Sequence, residues 1–335
     1  MTQSRAERIA ALKAAARDRI LVLDGSWGVM IQREGLTEAD FRGERFKDHP
    51  VQIKGDNDIL CLTRPDIIAG LHDAYYAAGA DISETNTFSA TTIAQADYES
   101  EGAVRDLNLA GARIAREVAD RWTAKDPSRP RFVAGSIGPS GLLPSSTDPV
   151  LSNITFGELV EVFREQAAGL LDGGVDVLLI ETSQDILEVK AQIFAIRRWM
   201  KESGRRLPIM AQVTLDRTGR MLLGTDIGAS LTTLQSLGAD IVGLNCSTGP
   251  EEMRDSVRYL CERSPVPISI MPNAGIPANE GTGDAVYPLG PREFADAMEE
   301  FVKSRGIAIA GGCCGTTYEH IRLLAERVKG LKPVP

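Results

Sequence analysis

Eight short apolar runs alternate with longer helix-periodic segments along this chain, and that alternation narrows the fold more than any other feature of the sequence. The strand candidates fall at residues 20–23, 81–83, 131–134, 175–180, 208–213, 240–244, 267–270 and 307–310. Helical patterns fall at 66–78, 103–122, 156–171, 186–201, 229–237, 251–262, 292–304 and 318–329. The strand runs are mostly apolar, as in residues 177–180 and 307–310, which suits strands covered on both faces. A parallel crossover consumes roughly 30 residues or more, so eight βα units in 335 residues predict an α/β fold of the (β/α)8 TIM-barrel type. One domain then spans residues 1–335. The main rival is a doubly wound open sheet, and its dinucleotide-binding version is weakened by the lack of a Gly-x-Gly-x-x-Gly turn after the first run. Residues 1–19 are polar, rich in Ala and Arg, and carry Glu7 and Asp18 without an apolar centre. They read as a leading helix and not as a secretory signal, with an amphipathic transit peptide as the alternative.

Charge and cysteine usage then exclude whole classes of partner. The formal net charge is −9 with no basic block to offset it, so a phosphate-tracking nucleic-acid surface and an anionic membrane are both disfavoured. No run approaches the ~20 apolar residues of a membrane span. A small-molecule substrate is expected. The five cysteines are odd in number and form no spaced disulfide framework, which places the chain in a reducing compartment, the cytoplasm.

Three long Gly/Pro-rich stretches, 35–57, 138–153 and 272–291, interrupt the pattern and read as βα loops or lids at the active face. Asp24, Glu84, Glu181, Cys246, Asn273 and the Cys313-Cys314 pair all sit at or just past the C-terminal ends of strand candidates. In a barrel those ends face one mouth. Three thiolates from Cys246, Cys313 and Cys314 would give a soft divalent ion three sulfur ligands and leave its fourth position open, which suits a catalytic zinc. Buried cysteine is a common core residue, but glycines flank this pair in Gly311-Gly312-Cys313-Cys314-Gly315, which does not pack like a core strand. Cys61 and Cys261 lie in apolar or helical surroundings and are assigned to packing. His49, His72 and His320 fall away from strand ends and are read as solvated or capping. Asp24 and Glu181 are N-cap candidates on the bland reading; together in one mouth they would suit a substrate ammonium group.

These residues resemble the zinc-dependent homocysteine S-methyltransferases, most closely the homocysteine-binding module of cobalamin-dependent methionine synthase. The resemblance runs nearly end to end. It is carried by Leu23-Asp24-Gly25-Ser26-Trp27-Gly28, Glu84-Thr85-Asn86-Thr87-Phe88, Ile180-Glu181-Thr182, Gly243-Leu244-Asn245-Cys246, Pro272-Asn273-Ala274-Gly275 and Gly311-Gly312-Cys313-Cys314-Gly315-Thr316-Thr317. It implies a zinc ion (Zn2+) on Cys246, Cys313 and Cys314, with the sulfur of L-homocysteine in the open place. It further implies that Asp24 and Glu181 bind the substrate amino group, that backbone N–H groups near Gly25 and Ser26 bind its carboxylate, and that Asn273 occupies the zinc site when substrate is absent. The chain stops at Pro335 and has no room for folate, cobalamin or reactivation modules. The expectation is therefore the homocysteine-activating component of a split enzyme, with methylcobalamin supplied by a separate chain and folate bound by another. The alternatives are a stand-alone transferase using betaine or S-methylmethionine, a non-catalytic binding subunit with structural zinc, and an excised fragment of a longer protein.

Overall fold

The computed structural model describes residues 3–279 and 285–333. Eight parallel strands form one ring: β1 (Leu21–Val22), β2 (Ile82–Glu84), β3 (Phe132–Ile137), β4 (Val177–Ser183), β5 (Ile209–Val213), β6 (Ile241–Asn245), β7 (Ile268–Met271) and β8 (Ile309–Ala310). Each strand pairs with its sequence neighbours, β8 returns to β1 through Leu21↔Ile309, and a parallel bridge Leu23↔Ile82 closes the circle. This is the (β/α)8 barrel, and every expected strand is present. The eight expected outer helices run Pro65–Ala77, Val104–Lys125, Phe156–Gly173, Ile186–Ser203, Ile227–Ser236, Pro250–Arg263, Pro291–Arg305 and Tyr318–Val328.

The signals that start and stop these helices are local. Thr155 and Glu158 form a capping box at one N-terminus, and Pro250 and Pro291 open two others where a missing N–H costs nothing. Not every element was expected. Residues 35–57 contain a helical turn, Glu38–Arg42, and another helix, Trp27–Arg33, begins directly behind Asp24. Both are shorter than two apolar repeats, so periodicity gives no signal for them. Within the third long stretch, Ala278–Asn279 and Ala285–Val286 pair as a small antiparallel ribbon.

The barrel interior is a closed apolar cluster of Leu21, Leu23, Ile82, Phe132, Ala134, Val177, Leu179, Met210, Ile241, Met271 and Ile309, and Leu12 of the leading helix Arg5–Asp18 belongs to it. That helix lies across the N-terminal ends of the strands. Arg8 pairs with Asp176 at 2.7 Å and Arg5 reaches the Leu171 carbonyl, both just ahead of β4. The same end carries a repeat that periodicity does not reveal: Gly-x-Asp precedes β2, β4 and β6 as Gly79-Ala80-Asp81, Gly174-Val175-Asp176 and Gly238-Ala239-Asp240. The carboxylates of Asp81, Asp176 and Asp240 accept from the backbone N–H of Val22, Val133 and Ile209 at 3.0, 3.0 and 2.9 Å. Each thereby satisfies a buried donor at the start of the preceding strand, which would otherwise lack a partner. Before β8 the repeat reads Gly306-Ile307-Ala308 and the carboxylate is replaced by a methyl group of the apolar cluster.

The loop after β3 is strapped across the top by two carboxylates from the start of the helix that follows β4. Asp185 accepts from the Ser145 N–H and hydroxyl at 2.7 and 2.8 Å, and Glu188 accepts from the Ser140 N–H at 2.8 Å and its hydroxyl at 2.5 Å. Burial pushes Glu188 up to about 7, partly opposed by the Ser140 hydrogen bonds. A raised folded-state value means that the folded protein holds this proton more tightly than the unfolded chain, so its contribution is complete below about 4.5 and is lost as pH rises to about 7. Glu188→Gln is therefore expected to gain stability relative to the parent between pH 4.5 and 8, by on the order of 2 kcal/mol. Urea denaturation of both proteins at pH 4.5 and pH 8 checks this, and an equal gap at the two pH values would refute it.

Candidate active site

Along each strand the inward positions change character near the C-terminal end. On β2 they run Ile82 then Glu84, on β3 Phe132, Ala134 then Ser136, on β4 Val177, Leu179 then Glu181, and on β5 Met210 then Gln212. Strand alternation thus fills the lower barrel with hydrocarbon and the mouth with polar groups. These polar groups pair across strands: Ser136 Oγ donates to Glu181 at 2.5 Å and Gln212 Nε2 to Ser269 Oγ at 2.9 Å. Asn245 Nδ2 donates to Thr182 Oγ1 at 2.8 Å while its Oδ1 accepts the Thr182 N–H at 2.7 Å. That pair holds Thr182 at φ 55°, in the left-handed region β-branched residues avoid, directly after Glu181.

Three thiols converge at the same mouth. Cys246 follows β6 at φ 62° and Ser247 continues at φ 65°, a turn that costs about 1–3 kcal/mol per residue and bends the chain back over the barrel. The Cys246 N–H donates to the Met271 carbonyl at 3.1 Å, the Cys313 N–H to Pro272 at 2.9 Å, and the Cys314 N–H to Asn273 Oδ1 at 3.1 Å. The glycines flanking the pair answer to close approach: a Cβ on Gly315 would lie 2.2 Å from the Tyr287 ring, and one on Gly312 2.5 Å from Thr316 Oγ1. The sulfur of Cys314 lies 3.8 Å from that of Cys246 and 4.0 Å from that of Cys313, and all three are within 4.8 Å of one another. A tetrahedral ion with Zn–S near ~2.3 Å needs sulfurs about 3.8 Å apart. The trio is therefore spaced as a three-sulfur zinc site would be. Hydrogen bonds from the Cys246 and Cys313 thiols hold Cys314 down at about 3, so negative charge gathers on Cys314. Cys61 is buried against the Asn86 carbonyl and Cys261 lies half-buried in a helix, each away from the trio.

The carboxylates stand at the same mouth, with Asp24 just past the strand beside the one that leads into the cysteine pair. Asp24 is fully buried, and its Oδ2 accepts from Trp27 Nε1 at 3.0 Å, Ser83 Oγ at 2.7 Å and the Glu84 N–H at 2.9 Å. Burial pushes Asp24 and Glu181 each up to about 7. Glu84 is raised further, by burial and by the charges of Glu181 and Asp24. Gly25 packs so closely that a Cβ would meet Thr316 Oγ1 at 2.8 Å. The Ser26 N–H points at that same hydroxyl at 3.2 Å, and Ser26 Oγ caps the helix behind it. Asn273 lies against Cys314, its amide oxygen taken up by the backbone N–H already described.

One expectation is corrected here. His72, read as solvated or capping, is fully buried, edge-on to Trp27 with centroids 4.5 Å apart, and its Nδ1 lies 2.7 Å from Ser83 Oγ. Because Ser83 donates onward to Asp24, the His72 Nδ1–H donates to Ser83; burial holds the ring neutral, at about 3. The His72–Ser83–Asp24 relay fixes the carboxylate, and only the register of Ser83 beside Asp24 reveals it. His320 does cap, its Nδ1 accepting the Thr317 N–H at 3.1 Å. Glu84, placed at a strand end but given no role, proves to be a third inward carboxylate.

A parallel barrel that gathers thiols and carboxylates on its strand ends is laid out as a barrel enzyme, with its working groups at one mouth. The chain belongs to the homocysteine S-methyltransferase family, whose profile matches residues 21–328. It is 43% identical over 314 residues to a methionine synthase of Mycobacterium tuberculosis, a match covering 94% of this chain and 25% of that protein. A methionine synthase of Mycobacterium leprae is 43% identical over 310 residues, covering 92% of this chain and 24% of that one. The chain thus spans about a quarter of the length of these relatives. The barrel also superposes on the metallated form of the homocysteine methyltransferase MmuM from Escherichia coli with a TM-score of 0.73 at 22% identity, covering 95% of this chain and 98% of that one.

Proposed function

We propose that this chain is the homocysteine-activating unit of a methionine synthase, transferring a methyl group to the sulfur of L-homocysteine to form methionine. The observation that carries this reading is the thiol trio, spaced for zinc at a mouth that also holds carboxylates for an amino group. Cys246, Cys313 and Cys314 hold the ion, and among the described residues no fourth cysteine or histidine joins them, which favours an open catalytic site over a closed structural one. When bound, the ion lowers the proton affinity of the substrate thiol, so the sulfur attacks as a thiolate at neutral pH. Asp24 and Glu181 receive the ammonium group, and the substrate carboxylate lies by the backbone N–H groups of Gly25 and Ser26, the latter exchanging its bond to Thr316 Oγ1 for one to the substrate. Asn273 orients Cys314 and covers the metal position when substrate is absent. Bringing the two reactants to near-attack distance then supplies much of the rate.

The methyl donor must reach the sulfur from outside. Phe88, Val150, Leu222, Leu223 and Val286 are exposed, and they sit on the loops that follow β2, β3, β5 and β7, giving the mouth an apolar rim. Such a rim suits a docked corrinoid protein better than free betaine or S-methylmethionine. Similarity to methionine synthases supports methylcobalamin as the donor, borne with the folate-binding function on other modules or subunits.

Zinc-edge X-ray absorption of the purified protein with and without L-homocysteine tests the reading. The expected change is from three sulfur neighbours and one light atom to four sulfurs. No zinc, or a spectrum that homocysteine leaves unaltered, would move the chain to a structural or non-catalytic role.

A further inference from the structure

Glu84 has no role in the family resemblance, yet it is placed as a ligand-binding group. It ends β2, its inward direction follows that of Ile82, and only 6% of its surface is exposed. Its neighbours in charge are Glu181 and Asp24. Among the described residues, no arginine, lysine or histidine forms an ion pair with any of the three. Glu84 Oε1 and Asp24 Oδ1 are both buried without a hydrogen-bond partner, whereas the other oxygen of Asp24 has three. Buried carboxylate oxygens are rarely left unpaired, because the loss of hydration is not otherwise recovered. Two such atoms beside a third carboxylate, on strand ends at the barrel mouth, fit a missing cation.

We propose that Glu84 completes a socket with Asp24 and Glu181 in which each carboxylate accepts one N–H of the substrate's primary ammonium group, so that Glu84 makes the site select a primary amine. This rests on the homocysteine reading and deepens it. A primary ammonium has three N–H donors and no acceptor, and each of the three carboxyl groups in the socket offers an oxygen able to accept one of them. Ser136 holds Glu181 and the Ser83 relay holds Asp24, each through one oxygen, which leaves the second oxygen of each carboxylate for a ligand. The thiol trio stands at the same mouth, just past the ends of β6 and β8. A ligand with a thiol at one end and an ammonium at the other spans the two.

The test compares ligands on the zinc-loaded full chain by calorimetry. L-homocysteine is set against 4-sulfanylbutanoate, which keeps the thiol and carboxylate and lacks the amine. The parent protein is expected to prefer L-homocysteine by about 100-fold or more, and Glu84→Gln to lose about tenfold or more of that preference, as charge-assisted hydrogen bonds of this kind contribute. The loss must fall on L-homocysteine alone, with zinc content unchanged and no drop in melting temperature. Equal weakening of both ligands, or an undiminished preference, would overturn the role of Glu84 while leaving the homocysteine reading intact. A parent protein that does not bind L-homocysteine would overturn both. The parent also supplies a measurement free of any folding defect: N-methyl-L-homocysteine offers two N–H donors where the socket takes three, and it should bind about tenfold or more weaker; equal affinity would remove the socket.

Discussion

Cys246→Ala is expected to yield a folded barrel that retains no zinc and transfers methyl groups at least ~10³-fold more slowly. Two contributions combine in that figure. A free thiol with pKa near ~8.5 is only a few per cent ionised at neutral pH, so loss of activation alone removes a factor of about 30. The rest comes from losing the anchor that holds the sulfur in line with the donor. The barrel survives because Cys246 is only partly buried at the mouth and lies outside both apolar clusters. Alanine tolerates φ 62° no worse than cysteine does, so the turn after β6 adds no new strain. Metal analysis, circular dichroism and a transfer assay on one preparation decide the matter. A variant that keeps zinc and rate would show that the trio is not the working site.

Asp24 carries the second large effect, and two substitutions separate its roles. Asp24→Asn retains an oxygen that accepts from Trp27, Ser83 and Glu84, so the fold is preserved, but it places an NH2 where an ammonium must sit. Homocysteine affinity should fall about 100-fold or more. Asp24→Ala also strands those three buried donors and is expected to cost about 3 kcal/mol or more of stability. Denaturation curves and homocysteine titrations of both variants provide the check. Should Asp24→Asn bind homocysteine as the parent does, the amino group goes elsewhere.

Much of this arrangement was legible in the residues themselves, for reasons that differ from place to place. The strands could be read because parallel strands covered on both faces are apolar without interruption, as in Val177–Ile180. The cysteine pair could be read because glycines beside it forbid core packing. By contrast, Glu84 looked like one more acid at a strand end, since its inward direction depends on counting register from Ile82. His72 was misread because its partner Ser83 belongs to a different element, and a helical histidine gives no sign of what it faces. The helices behind Asp24 were too short to show a period. The Gly-x-Asp clamps were visible as letters, but their purpose, accepting an N–H from a neighbouring strand, exists only once the ring has closed.

The leading helix across the barrel floor closes that end of the barrel. With Leu12 seated among the lowest interior side chains, every reactant shares one doorway, and whatever delivers the methyl group covers that doorway while it does so. For the proposed function, traffic would then be sequential: the small amino acid would load first, the bulky donor would dock behind it, and methionine would depart only after the donor withdraws. An excess of donor should accordingly slow turnover, by trapping empty or product-filled barrels beneath a closed lid.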